Sequence, residues 1–120
     1  MEIIATSPDG DTQQLADTVR VANTVVSQSL GLMGKRPLQP GEAMLFTFRE
    51  TRPRRVHTWF VRGTIDILWV SNEQLVAIET LSPWSIGGKH SADTIIELPA
   101  GTASDLDRDW TIRRHSTAGD

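Results

Sequence analysis

The residues best suited to chemistry lie in one apolar stretch, residues 56–70, which reads VHTWFVRGTIDILWV. His57, Arg62 and Asp66 interrupt two hydrophobic runs that are separated by R-G-T. Burying a lone charge is expensive, so such groups are paired, solvated at an edge, or used. The segment therefore predicts a polar site inside or beside β structure, but it does not name a reaction.

His57 and Asp66 are the first candidate pair. If 56–61 and 65–70 form a hairpin around R-G-T, the two side chains become cross-strand neighbours. A carboxylate that orients an imidazole is the beginning of a general-base or metal site. The alternative is a structural clamp in which Asp66 accepts hydrogen bonds from backbone or hydroxyl groups. The sequence favours the clamp and predicts no catalytic residue, because no Ser, Cys or second His completes a known catalytic set.

Glu97 is the second candidate, in the sequence IIELPAG. It can join Asp66 as a pair of carboxylates for acid/base work. Alternatively it binds the N–H groups of the Pro-Ala-Gly turn or pairs with an arginine, which is the reading that we favour. The three histidines are scattered and show no metal-ligand spacing, so we expect neither a metal nor a cofactor.

A cluster of arginines and one tryptophan form the third candidate. Five guanidinium groups fall within 49–62, namely Arg49, Arg52, Arg54, Arg55 and Arg62. Together they can bind phosphate, carboxylate or single-stranded nucleic acid. The alternative is a solvated loop that nearby acids neutralise in part. Trp84, in a predicted loop over 82–93, is the tryptophan that we single out as a ligand contact, whereas those in predicted strands are assigned to the core.

Composition narrows the class of protein. The chain has 120 residues, a formal net charge of −3 and no cysteine. The mild acidity gives no reason to expect nucleic acid or an anionic membrane as a partner. Disulfides and thiolate metal sites are excluded. No stretch approaches the length of a membrane span, and the N-terminus lacks the pattern of a secretory signal, so we expect a cytoplasmic protein.

The elements that position these residues are mostly short strands. Apolar or alternating runs predict strands at 1–5, 18–22, 43–49, 56–61, 65–70, 74–81, 94–98 and 110–113. The i, i+4, i+7 spacing of Val26, Leu30 and Met33 predicts a helix over about 24–33, which Gly34 ends. The sequence thus predicts one β-rich domain over 1–115 with a disordered tail over 116–120. The fold class is mainly β, a compact sandwich or barrel of jelly-roll type with one short packed helix.

Several segments, taken in order, resemble the family known as domain of unknown function 192. They are GLMG at 31–34, PG at 40–41 before MLF, HT at 57–58, Arg62, ID at 65–66, PW at 83–84 and ELPAG at 97–101. The resemblance covers about 19–112 and implies a compact β fold without implying an activity. Thr64 stands where the family usually has proline, and Val61 where it often has methionine.

These observations favour a binding or accessory module with a surface site for an anion or a carbohydrate. Its candidate residues are His57, Arg62, Asp66, Trp84, Glu97, Arg54 and Arg55. The partner is expected to be a small molecule or a protein, with neither nucleic acid nor membrane. The alternatives are a small hydrolase or isomerase that uses His57 and Asp66, and a structural module for subunit assembly.

Overall fold

In the computed structural model, which describes residues 1–22, 36–59 and 61–116, the chain forms one sheet of eight strands. The strands are β1 Glu2–Thr6, β2 Thr12–Ala16, β3 Thr18–Ala22, β4 Glu42–His57, β5 Ile65–Ser71, β6 Gln74–Leu81, β7 Ile86–Pro99 and β8 Thr111–His115. Their order in the sheet is β2-β1-β8-β6-β5-β7-β4-β3, and only β3 and β4 pair in parallel. The mainly β prediction is confirmed.

The sheet curls until its two edges meet. β2 and β3 stand at opposite ends of the strand order, yet Asp17 alone joins them. The backbone N–H groups of Asp17 and Thr18 both donate to the carbonyl of Gly41, at 2.9 and 3.0 Å. One residue cannot span an open sheet of eight strands. The curvature therefore follows from the connection itself.

The curled sheet encloses a first core. Its buried residues come from seven strands and the turn after β7, and include Ile3, Leu45, Leu68, Ile96 and Leu98. The other face of β5, β7 and β4 carries a second core, around Met44, Ile67, Trp69 and Ile95. Because both faces of β5 are covered, six of its seven residues are buried. This explains why the run reads as continuously apolar and not as alternating.

β4 and β7 are long because they bend. Between the pairs Thr47–Thr94 and Arg52–Ala92, four residues of β4 stand opposite Asp93 alone. Such a bulge bends a strand and turns the ladder beyond it. The far part, Arg52–His57 paired with Ile86–Ala92, is called the arm below. Val56 and Ala92 of the arm pack in the second core, so the arm lies over that face of the sheet.

Four strand predictions require correction. The basic segment 50–55, predicted as a loop, belongs to β4, and 56–61 is not a separate strand because β4 ends at His57. The predicted loop over 82–93 is strand from Ile86 onward, and β2 was missed. By contrast, the predictions for β3 and β6 match their observed bounds.

The predicted helix over about 24–33 lies outside the described residues, within the connection that crosses from β3 to its parallel partner β4. Among the residues that are described, none form a helix long and apolar enough to cross a membrane.

Candidate functional site

The tip of the arm is held by one buried threonine. Thr58 is fully buried, and its hydroxyl donates to the carbonyl of Ser82 at 2.6 Å and accepts from the N–H of Ser85 at 2.8 Å. Its backbone N–H donates to the Ser85 carbonyl at 2.9 Å, and its carbonyl accepts from the N–H of Trp84 at 3.0 Å. The loop between β6 and β7 is therefore bonded tightly to the segment after β4.

This arrangement displays tryptophan in an unusual conformation. Trp84 has a φ of 61°, in the left-handed region where a bulky residue is a genuine outlier, and 62% of its surface is exposed. Trp59 is 44% exposed and its ring lies 4.9 Å from that of His57. Ile86, opposite His57 in the ladder, is 57% exposed. Three of the four large hydrophobic side chains that stand exposed among the described residues thus gather at this tip.

Two cations lie beside these side chains. Arg55 and Lys89 are directly opposite in the β4–β7 ladder, and both are exposed. Like charges in that position destabilise a sheet. No carboxylate among the described residues forms an ion pair with either group. The outer side of the arm is therefore cationic and aromatic at once.

Arg54, on the opposite side of the arm, is used within the fold. Its guanidinium lies 3.6 Å from the centroid of the Phe48 ring, and it donates to the carbonyls of Ala92 and Glu50, each at 2.8 Å. Burial, and then the nearby charge of Arg52, lower its pKa. The carbonyl of Arg54 accepts from the indole N–H of Trp69 at 2.9 Å. Arg54 therefore helps to fix the arm to the second core.

A histidine and a glutamate complete that attachment, and this pair was not anticipated. Nε2 of His90 lies 2.5 Å from Oε2 of Glu79, and the His90 ring meets the Trp69 ring edge-on at 4.6 Å. Both carboxylate oxygens of Glu79 accept from the N–H of Gly88 at 3.0 Å. Burial alone would raise the pKa of Glu79, but the Gly88 N–H and the His90 ring outweigh it and lower that pKa.

The predicted pairing of His57 with Asp66 is wrong. β5 pairs with β6 and β7 and not with the end of β4. His57 is opposite Ile86, whereas Asp66 is opposite Thr80 and Leu98. The hairpin around R-G-T does not form, because β5 follows an excursion of the chain and not a tight turn from β4.

Asp66 is a buried acceptor of three hydrogen bonds. Oδ1 accepts from the Thr80 hydroxyl at 2.7 Å, and Oδ2 accepts from the N–H groups of Gly101 and Ala103 at 3.0 and 2.9 Å. The carboxylate thus fixes the turn after β7 against β5 and β6. It forms the kind of contact that the clamp interpretation describes, with Thr80 and this turn as partners in place of His57.

Glu97 points away from Asp66. It is opposite Met44 and Ile67, which belong to the second core, whereas Asp66 is opposite Leu98 of the first core. The alternative of a carboxylate pair is therefore wrong, since the two side chains lie on opposite faces of the sheet. The interpretation that we favoured is not borne out either, because the N–H groups of Gly101 and Ala103 donate to Asp66 and not to Glu97, and Glu97 forms no ion pair with a described arginine. Within the described part of the chain, Oε2 of Glu97 is buried without a hydrogen-bond partner. Burial raises the pKa of Glu97 to about 8.

The remaining candidate, Arg62, is exposed and follows the turn in which the Val61 N–H donates to the Thr58 carbonyl. The structure thus brings Arg55, His57 and Trp84 to one end of the molecule and separates them from Asp66 and Glu97. Sequence reasoning missed Lys89 as a member of the arm, and it missed Thr58 and Glu79 as the residues that hold the arm in place. The pair of glycines at 87 and 88 was an available signal, because adjacent glycines in a strand mark a close approach.

Comparison with known proteins places this small curled-sheet protein in a family. The model of domain of unknown function 192 (DUF192), described as Uncharacterized ACR, matches residues 5–109, and the chain belongs to that family. The UPF0127 protein PH1112 of Pyrococcus horikoshii is 38% identical over 87 residues, which cover 69% of this chain and 73% of that protein.

Two solved structures share the fold. A "putative transcription regulator" from Sinorhizobium meliloti is similar with a TM-score of 0.83 and 26% identity, over 93% of this chain and 91% of that one. A protein of unknown function from Novosphingobium aromaticivorans is similar with a TM-score of 0.78 and 17% identity, over 95% of this chain and 84% of that one. The second likeness shows the fold alone.

Proposed function

We propose that the protein is a binding module whose site is the outer side of the arm and its tip, and that its ligand is an anionic sugar. The site consists of Arg55, His57, Trp59, Trp84, Ile86 and Lys89. The observation that carries the proposal is the Arg55–Lys89 pair, two opposed cations without an acidic partner among the described residues, beside exposed tryptophans.

The chemistry of these side chains selects the ligand. An anion between Arg55 and Lys89 relieves their repulsion and gains charge-assisted hydrogen bonds. The flat, apolar faces of Trp59 and Trp84 suit the C–H face of a sugar ring. Because Thr58 already holds the loop, little conformational entropy is lost when the ligand binds. A phosphate or carboxylate on a sugar satisfies both halves of the surface.

Three probes test whether both halves are used, namely a hexose phosphate, the unphosphorylated hexose and inorganic phosphate. We expect the hexose phosphate to shift the indole N–H signals of Trp59 and Trp84 in NMR titrations. Each of the other two probes should bind about tenfold more weakly or worse, since each lacks contacts of roughly 1.5 kcal/mol. Arg55→Gln and Lys89→Gln should each weaken the binding of the hexose phosphate and leave the binding of the hexose unchanged.

Arg114→Gln is the matched control, because this exposed arginine lies on β8 and outside the arm. It should bind all three probes as the unsubstituted protein does. Equal binding of the hexose phosphate by Arg55→Gln would contradict the proposal. So would tighter binding of a single-stranded oligonucleotide than of the hexose phosphate, which would indicate a nucleic-acid interface instead.

The same exposed side chains support a second candidate, self-association through the arm tip. Aromatic residues with an aliphatic neighbour are the anchors typical of protein interfaces. Sedimentation velocity distinguishes self-association through the arm tip from ligand binding at the same surface. A concentration-dependent dimer that Ile86→Lys abolishes would favour assembly, whereas a monomer at all concentrations would leave the ligand site as the use of this surface.

The third alternative, a hydrolase or isomerase using His57 and Asp66, loses its support because the two residues do not meet.

A further inference from the structure

A cleft of about 260 Å³ opens at one end of the first core, apart from the arm residues assigned above. Its floor consists of aliphatic side chains from four strands, namely Leu45, Val70, Ile96 and Ile112. Its rim carries Asn72, Glu73, Asp93 and Arg114. An apolar floor under a few convergent polar groups is the usual construction of a small-molecule site.

The charged side chains of the rim differ in how many hydrogen bonds and ion pairs they form within the protein. Oδ2 of Asp93 accepts from the Asn72 N–H at 3.0 Å, and Oδ1 accepts from the Thr94 hydroxyl at 2.9 Å. Glu73 has only a long contact with Arg113, 3.8 Å from Oε2 to Nε. Arg114 forms no ion pair with any described residue. The rim therefore offers one open cation and carboxylate oxygens with remaining lone pairs.

Strand geometry directs Arg114 toward the cleft. Ile112 is buried in the first core, and side chains two residues apart share a face of a strand. Arg114 therefore extends the same face of β8 beyond the core, at the open end. Arg113 belongs to the opposite face.

The same rim also carries two residues in the left-handed region of backbone conformation. Asn72 and Glu73 form the turn between β5 and β6 with φ values of 50° and 66°. Asparagine tolerates this conformation, but glutamate does so at a cost that glycine would avoid. The carbonyl of Glu73 accepts from the Ile112 N–H at 2.7 Å, which holds the turn over the end of the core. Strain of this kind gathers at binding sites, where the fold imposes it.

We propose that this cleft binds a free α-amino acid with an aliphatic side chain. The carboxylate of the ligand pairs with Arg114, its ammonium group meets the oxygens of Asp93, and its side chain covers the aliphatic floor. The volume supports a ligand of this size, since it is smaller than the roughly 300–1,000 Å³ of sites for drug-sized molecules. Both signs of charge on one rim suit a zwitterion better than an ion of a single sign.

Three related probes test the charges separately. L-leucine carries both charged groups, isocaproate lacks the ammonium group, and isoamylamine lacks the carboxylate. We expect leucine to shift the backbone amide signals of Val70, Asp93 and Ile112 in NMR titrations. Isocaproate and isoamylamine should each bind at least about tenfold more weakly, because each loses a charged hydrogen bond.

Two substitutions assign the contacts. Arg114→Gln should weaken the binding of leucine about tenfold and leave the binding of isoamylamine unchanged. Asp93→Asn keeps an oxygen that can accept from the Asn72 N–H. It should weaken the binding of leucine and leave the binding of isocaproate unchanged. Arg55→Gln, on the outer side of the arm, is the control and should bind leucine normally. The two arginine substitutions thus give opposite results at the two sites, so this proposal can fail while the proposed function stands, and the reverse.

Equal affinity for leucine and isocaproate would overturn the zwitterion proposal, as would leucine binding that Arg114→Gln leaves unchanged. Absence of amide shifts around the cleft at millimolar leucine would overturn it as well. Because both substitutions lie at the surface or keep the native acceptor, we expect each variant to fold, which a thermal unfolding curve verifies.

Discussion

Glu97 and Asp66 are two buried carboxyl groups that differ in their hydrogen-bond partners. Asp66 accepts three hydrogen bonds from named donors, whereas Oε2 of Glu97 has no partner among the described residues. Desolvation disfavours a charge that nothing compensates. The pKa of Glu97 is accordingly raised to about 8, so the folded protein holds a neutral carboxylic acid at pH 7.

Glu97→Gln should change the pH dependence of stability. Between pH 4.5, the ordinary pKa of this group, and pH 8, the folded state keeps the proton while the unfolded state releases it. The folded state then binds more protons, so the free energy of unfolding contributed by Glu97 falls as pH rises through this window. Glutamine does not titrate. In urea titrations, the free energy of unfolding of Glu97→Gln minus that of the unsubstituted protein should increase by a few kcal/mol from pH 5 to pH 8.

The difference between the two proteins is the informative quantity, because every other titrating group cancels from it. Arg36 and the Gln39 N–H lower the pKa of the half-buried Glu42 to about 2, for example, and this contribution is present in both proteins. Parallel stability profiles over pH 5 to 8 would show that Glu97 is ionised in the folded state and would refute the prediction.

At the scale of elements, three polar or ring contacts help to hold the arm on the sheet, in addition to the packing of Val56 and Ala92 in the second core. They are the Trp69 indole N–H to the Arg54 carbonyl, the His90 ring on Trp69, and Glu79 with His90 and Gly88. A side chain at position 88 would collide with the last of these. A Cβ there lies 2.6 Å from Oε2 of Glu79 and 2.8 Å from Nε2 of His90.

Gly88→Ala should therefore displace the Glu79 carboxylate and loosen the arm. We expect a loss of about 1 kcal/mol in the free energy of unfolding, because the half-buried Glu79 carboxylate loses its hydrogen bonds to Gly88 and His90. A second readout is the acid side of the stability profile. The lowered pKa of Glu79 contributes stability above its ordinary pKa of 4.5, and this is lost as pH falls. The slope below pH 4.5 should be shallower in Gly88→Ala.

Ser91→Ala provides the control, since Ser91 is exposed on the same strand and lies on the outer side of the arm. It should leave both the stability at neutral pH and the acid slope within about 0.5 kcal/mol of the original. An unchanged acid slope in Gly88→Ala would mean that Glu79 does not depend on the Gly88 N–H.

A comparison of the arm with β5 and β6 shows which elements can be predicted from the sequence and which cannot. β5 and β6 are predictable because their residues are apolar and pack on a face of the sheet. The arm is not, because Val56 and Ala92 share its inward side with Arg54, His90 and Gly88, whose polar or absent side chains interrupt the apolar pattern of a strand. Pro53 and its neighbouring arginines then resemble a loop. A pairing of His57 with Asp66 fails for the same reason, since it assumes that β4 ends before the basic segment.

The cleft and the arm tip lie beyond sequence prediction for a different reason. Each is assembled from segments distant in the chain: the rim of the cleft uses residues near 72, 93 and 114, and the tip uses residues near 58 and 84. One sequence shows no periodicity that links them. Trp84 was singled out only because it follows a proline in a predicted loop, whereas its left-handed backbone depends on contacts with Thr58.

For the molecule as a whole, one glycine fixes the point at which the two edges of the sheet are joined. Gly41 has a φ of +85°, its carbonyl accepts from both Asp17 and Thr18, and a Cβ there would lie 3.0 Å from Oδ1 of Asp17. These contacts stand where β2 passes into β3 and the two edges of the sheet meet. If they weaken, every strand between those edges becomes less constrained.

Gly41→Ala should accordingly destabilise the whole protein more than Gly10→Ala does. Gly10 has a similar φ of +93° in the β1–β2 turn, but a Cβ there meets nothing within 4 Å. Both substitutions incur the left-handed strain of about 1–2 kcal/mol. Gly41→Ala should lose about 1 kcal/mol or more beyond that, because the Cβ forces Asp17 aside and weakens two hydrogen bonds. In urea unfolding followed by tryptophan fluorescence and by amide signals of β1, both probes should shift together for Gly41→Ala. Equal losses in the two variants would show that the edges of the sheet are held together by something other than Gly41.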